Sequence, residues 1–90
     1  MKLDQHFLIN EKIAEEIVSF LDIKDNESVL EIGPGKGILS KHIKKATLVE
    51  LDKGLADELK NKFSEHKIIN KNILKINLNY DKIIGNIPYS

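Results

Sequence analysis

Hydrophobic and polar positions alternate with two different periods along this chain. Ile13, Ile17 and Leu21 recur at i, i+4 and i+8, Ala14, Val18 and Phe20 widen the stripe, and Glu15, Glu16 and Ser19 fall elsewhere. That spacing predicts an amphipathic helix from Glu11, capped by Asn10 and packed on a sheet. The polar turn Lys24-Asp-Asn-Glu27 then gives way to an aliphatic run, Ser28 to Ile32, predicted as the first strand. Ile38 to Lys45 reads as a short helix, with Leu39 and Ile43 inward and lysines at its C-terminal end, where the helix dipole favours them. Thr47 to Leu51 is the second predicted strand. A further helix follows Gly54, with Leu55, Leu59 and Phe63 again at i, i+4 and i+8. Ile68 and Ile69 mark a third strand, and Lys82 to Gly85 a fourth. Strands alternating with helices predict right-handed βαβ units and a parallel α/β sheet. Residues 1–9 are too mixed for a regular element, although Gln5-His-Phe-Leu8 sets two large apolar residues side by side.

Composition narrows this little. Ninety residues, 41% of them hydrophobic, suffice for one small domain with a core. The sequence holds no long apolar run for a membrane span and no basic-then-apolar leader, so no membrane partner is expected. It has no cysteine, which excludes disulfides and thiolate metal sites and is compatible with a reducing, cytoplasmic setting. Fourteen basic residues, all lysine, balance fourteen acidic ones. A neutral chain without arginine is a poor nucleic-acid binder by itself, because phosphate affinity comes largely from clustered positive charge.

Chemistry enters at Val29-Leu-Glu-Ile-Gly-Pro-Gly-Lys-Gly37. A strand, a glycine-dense turn and a helical segment, in that order, present backbone N–H groups to a nucleotide-like ligand. Gly33 allows the tight turn, and Gly35 and Gly37 are expected to let a ligand approach main chain without meeting a Cβ. A dinucleotide fingerprint would need glycine at position 38, where Ile38 stands. A P-loop would need Ser or Thr after Lys36, where Gly37 stands. The E-x-G-x-G-x-G turn resembles instead the S-adenosylmethionine loop of Rossmann-like methyltransferases. Glu50, ending the second strand, lies near the distance at which such sites place a ribose-binding acid. A carboxylate there accepts hydrogen bonds from two ribose hydroxyls. Asp52 reads as the cap of the next helix.

Four pieces line up: Gln5-His-Phe-Leu8, Glu31-Ile-Gly-Pro-Gly-Lys-Gly37, Val49-Glu-Leu-Asp52 and Gly85-Asn-Ile-Pro-Tyr89. Together they resemble the ribosomal RNA adenine N6-dimethyltransferase family, which includes small-subunit dimethyladenosine transferases and macrolide-resistance rRNA methylases. The resemblance covers nearly the whole chain but only the first part of a family member. It implies a Rossmann-like S-adenosylmethionine-dependent methyltransferase fold, truncated to its first four parallel strands with helices on both faces. Residues 1–90 then form the N-terminal half of the methyltransferase domain, without its later strands or the C-terminal helical RNA-binding domain.

The resemblance also implies site residues. His6 and Leu8 match positions touching the methionine end of the cofactor, while Asp4 departs from the family's usual glycine. Asn72 stands where the family typically has an aspartate receiving the adenine amino group. An asparagine oxygen still accepts that bond, without charge assistance, at a cost of about 1 kcal/mol. Ile73 is placed to pack on the adenine ring. Asn86-Ile-Pro-Tyr89 matches the reactive motif, with Asn86 also beside the cofactor. The Asn86 oxygen and the Ile87 or Pro88 carbonyl would accept from the two N–H groups of adenine's exocyclic nitrogen and free its lone pair. Pro88 rigidifies the turn, and Tyr89 offers a face for an extruded base. Methyl transfer of this kind requires no metal.

The implied function is the cofactor-binding half of an rRNA adenine N6-methyltransferase acting on small-subunit rRNA. Two alternatives stand beside it. A DNA adenine or protein glutamine methyltransferase usually shows [DN]-P-P-[YF], whereas Ile87 occupies the middle position here. A non-catalytic fragment would bind the cofactor, or self-associate, and catalyse nothing unaided. The sequence stops just after its fourth strand, which predicts part of a larger fold. The expected partner is a complementary C-terminal half or a second copy, pairing through that strand.

Overall fold

A computed structural model describes residues 10–85. The Gln5-His-Phe-Leu8 segment and Asn86 to Tyr89 lie outside the described residues, with the expectations placed on them. The described chain forms α1 (Glu11–Leu21), β1 (Val29–Ile32), a 3-10 turn (Ser40–His42), β2 (Thr47–Val49), α2 (Lys53–Lys62), β3 (Lys67–Ile69), a second 3-10 turn (Ile73–Lys75) and β4 (Lys82–Gly85). All three strand pairings are parallel, in the order β3-β2-β1-β4.

Given that order, the right-handedness of parallel crossovers fixes which face each connection crosses. Two right-handed steps carry the chain from β1 to β2 and then β3; the third returns past β1 to β4 and must cross the opposite face. The direction therefore reverses between β1 and β4. Ile32 pairs with both Val49 and Gly85, so three strands end level at that point.

Local chemistry sets the element ends. The Asn10 side chain accepts the Ile13 N–H at 2.8 Å, and Asp52 accepts the Leu55 N–H at 2.9 Å. Both residues act as the predicted helix caps.

Strand alternation sends Val29, Leu48, Ile68 and Ile84 to one face. Ala14 of α1, Leu39, Ile43 and Ala46, and Leu59 and Phe63 of the α2 segment pack with them in one cluster. The α1 stripe is rotated from its predicted position. Ala14 is fully buried, with Val18 and Leu21 packed beside it, whereas Ile13, Ile17 and Phe20 are exposed. The small Ala14 side chain lets the helix approach the core, which hydrophobicity alone does not reveal.

The predicted helix over Ile38 to Lys45 is only a 3-10 turn, although Leu39 and Ile43 are buried as expected. Eight residues following a left-handed glycine are too few to repay helix nucleation, and the chain is already extended at Ile43. On the opposite face, the β3–β4 crossover supplies a single 3-10 turn. Asn72 and Asn77 there hydrogen-bond backbone N–H groups two residues on and hold the segment in turns.

Gly37 is required by packing. Its φ is +83°, and a Cβ there would meet the Phe63 ring at 2.6 and 2.9 Å and Leu59 at 3.3 Å. Gly35 has a φ of +61°, but its Cβ direction is open, with nothing within 4 Å. Gly37→Ala should therefore cost about 3 kcal/mol, combining left-handed strain with overpacking, and Gly35→Ala only about 1 kcal/mol. Urea unfolding of the two variants checks this; equal losses would contradict it.

Candidate functional site

The C-terminal ends of β1, β2 and β4 form one lip, and among the described candidates the glycine turn and Glu50 leave from it. Ligands in open α/β sheets bind outside this end, at the point where strand order reverses. The turn after β1 stays fastened to β2, because the Gly33 N–H donates to the Val49 carbonyl at 2.9 Å.

Glu50 follows β2 directly and is buried, 7% exposed. One carboxylate oxygen accepts the Gly35 N–H at 3.0 Å and the other accepts the Asp52 N–H at 3.0 Å. Its own N–H donates to the Ile69 carbonyl at 2.9 Å. The carboxylate thus ties the glycine turn to the end of β2. Each oxygen keeps acceptor capacity, so the held carboxylate can accept further hydrogen bonds from a ligand's donors.

The three glycines do not share one task. The open space beside Gly35 suits a ligand approaching main chain. The space beside Gly37 is filled by Phe63 and Leu59, so this glycine serves close packing of the turn on α2 rather than ligand approach. Asn72 lies exposed at the start of the second 3-10 turn, its side-chain oxygen accepting the Leu74 N–H at 2.9 Å. Ile73 beside it is half-buried.

Glu31, which heads the glycine motif and carried no role of its own in the sequence pattern, is a second carboxylate near the lip. Glu31 is only 1% exposed and shares its strand face with the core. The Ser40 hydroxyl donates to it at 2.6 Å. The Ser40 carbonyl in turn accepts from His66 Nε2 at 2.9 Å, and His66 Nδ1 accepts the Ala46 N–H at 3.0 Å, which puts the ring proton on Nε2. Burial pushes the Glu31 carboxyl up to about 7, and the Ser40 hydrogen bond opposes part of that rise. A signal was present: a charged residue within an aliphatic strand is seldom buried without a purpose.

A cleft of about 840 Å³ among the described residues lies at the other end of the sheet. Its lining includes Val29, Thr47, Lys67 and Tyr80, at or just before the strand starts. Charged side chains of both signs surround it, and it is remote from the glycine turn. Among the described residues no helix is long and apolar enough to cross a membrane.

A family model for ribosomal RNA adenine dimethylases matches residues 1–90. The chain belongs to that family. Ribosomal RNA small subunit methyltransferase A of Malacoplasma penetrans (strain HF-2) is 48% identical to it, over 99% of this chain and 36% of the relative. The solved 23S rRNA methyltransferase ErmE superposes with a TM-score of 0.75 at 27% identity, covering 91% of this chain and 37% of that one. An S-adenosylmethionine-dependent methyltransferase from Clostridium acetobutylicum ATCC 824 superposes with a TM-score of 0.70 at 18% identity, over 89% and 38%. That last likeness concerns the fold alone. The fold of this family member is Rossmann-like, of the S-adenosylmethionine-dependent methyltransferase type, and the chain spans little more than a third of these relatives' length.

Glu31 makes the stability of this dimethylase-family chain depend on pH. Its folded-state carboxyl titrates near 7 against an ordinary 4.5, so the folded chain holds the proton more tightly than the unfolded one. The Glu31 contribution to stability should be fully present below the unfolded value, fall as pH rises from about 4.5 to about 7, and level off above, by about 3 kcal/mol in all. Glu31→Gln should remove this slope and be the more stable protein at pH 8. Urea unfolding at pH 5 and pH 8 is the measurement, and an unchanged slope in the variant would exclude Glu31 as its source.

Proposed function

We propose that this chain is the S-adenosylmethionine-binding, N-terminal half of the catalytic domain of an rRNA adenine N6-methyltransferase acting on small-subunit rRNA. The observation that carries the reading is Glu50: a buried carboxylate gripped by Gly35 and Asp52 N–H groups, at the C-terminal lip of the sheet, beside a glycine with open space over it. Family membership supports RNA adenine over DNA adenine or protein glutamine as the acceptor.

The residues present fit the cofactor. Glu50 would receive the ribose hydroxyls, and the main chain at Gly33 and Gly35 would lie against the cofactor. Asn72 would accept from the adenine amino group through its remaining lone pair, with Ile73 and the exposed Leu51 offering apolar surface to the ring. Glu31 is the buried carboxylate closest in sequence to the turn, and a cationic ligand group would favour its ionised form. His6 and Leu8 take the methionine end by family resemblance. When bound, S-adenosylmethionine supplies an electrophilic methyl group on a sulfonium.

The acceptor side belongs to Asn86, Ile87, Pro88 and Tyr89. They follow Gly85, which pairs with Ile32 immediately before the glycine turn. The Asn86 oxygen and the Ile87 or Pro88 carbonyl would accept the adenine N–H groups, Pro88 would hold them in place, and Tyr89 would stack on the base. β4 is an edge strand among the described residues, and Ile83 on it is 44% exposed. We assign methyl transfer to an assembly in which that edge is paired, by a complementary segment or a second copy.

Isothermal titration of S-adenosylmethionine into the purified chain tests the cofactor half. Micromolar binding is expected, weakened at least about tenfold by Glu50→Ala, since a hydrogen bond to a charged group carries 1.5–3 kcal/mol. Equal affinity in a variant that stays folded by circular dichroism would overturn the role of Glu50.

A further inference from the structure

β3 ends at Ile69, one residue before β2 delivers Glu50 to the lip. In a parallel ladder the next donor to the Glu50 carbonyl would be a backbone N–H of the neighbouring strand. A side chain supplies it instead. Asn70 Nδ2 donates to the Glu50 carbonyl at 2.8 Å and to the Leu51 carbonyl at 2.9 Å, which uses both amide protons.

The second of these bonds matters most. The Leu51 carbonyl belongs to the same planar peptide unit as the Asp52 N–H. That N–H holds one oxygen of the Glu50 carboxylate at 3.0 Å. Asn70 therefore grips one side of a rigid plate whose other side grips the acid. Asn70 is itself exposed, so packing makes no demand for an amide at this position. Aspartate, of the same shape, would bring acceptors towards two carbonyls and could make neither bond.

We propose that Asn70 is a positioning residue for the ribose-binding acid: by fixing the Glu50 and Leu51 carbonyls it aims the Glu50 carboxylate at the ribose hydroxyls. The proposal rests on the cofactor reading given above. It predicts a selective defect, because a misaimed Glu50 loses what it contributes to hydroxyl recognition while the rest of the pocket still binds.

Two readouts on the 90-residue chain test this, with Asn70→Ala and the isosteric Asn70→Asp. The first is hydrogen exchange at the Asp52 amide. It should be protected in the parent chain and lose at least about tenfold of that protection in both variants, with β1 and β2 core amides unchanged, as expected for a local opening. The second compares titration of S-adenosylhomocysteine with its analogue lacking both ribose hydroxyls. The parent should prefer the hydroxylated ligand by about 30-fold, and the variants by less than about fivefold. Equal weakening towards both ligands, or an unchanged Asp52 amide, would overturn the positioning role. Loss of the fold in both variants would make Asn70 a determinant of folding and overturn it equally. A parent chain that fails to distinguish the ligands would refute the cofactor reading itself, whatever the Asp52 amide reports.

Discussion

Parallel pairing of β1 with β2 on one side and β4 on the other is the constraint on which the site depends. Parallel strands all point the same way, so every loop that leaves their C-terminal ends emerges on one lip. The strand order reverses beside β1, where open α/β sheets bind ligands. The glycine turn leaves β1, the buried Glu50 leaves β2, and the Asn-Ile-Pro-Tyr segment follows β4. Three segments far apart in sequence thus start from neighbouring positions. The lip is a product of topology, and its chemistry is a property of the residues that follow each strand.

Two carboxylates on that lip are managed in opposite ways. Glu50 accepts two backbone N–H groups, and these hold it while leaving lone pairs for a ligand. Glu31 is enclosed by the core face, where a single short bond from Ser40 does not offset the loss of water. The Ser40 segment is in turn pinned to the start of β2 through His66, whose two ring nitrogens bridge Ser40 and Ala46. That bridge does what a longer helix after the glycine turn would otherwise do. It explains how a segment with only one 3-10 turn stays ordered enough to place Leu39 and Ile43 in the core.

The glycine turn shows how one motif divides its labour. Gly35 faces open space, and its N–H is spent on Glu50, so it belongs to the open lip of the sheet. Gly37 faces the Phe63 ring and belongs to the core. Either substitution would break the motif, for unrelated reasons.

Much of this was legible in the residues alone. Short aliphatic runs separated by turns located all four strands to within a residue or two. Asn10 and Asp52 were readable as caps because capping depends on side chains within three residues of the helix start. The glycine turn and Glu50 could be singled out because their spacing reflects local backbone geometry. Tertiary structure decided the rest. It rotated α1 so that Ala14, not Ile13 or Ile17, meets the core, since close approach rewards a small residue that a hydrophobicity stripe undervalues. It reduced the segment after the turn to a 3-10 turn, separated the roles of Gly35 and Gly37, and buried Glu31 against Ser40. It also brought the Asn70 amide onto the carbonyls of Glu50 and Leu51. Each of these depends on contacts between elements distant in sequence, and local pattern does not encode such contacts.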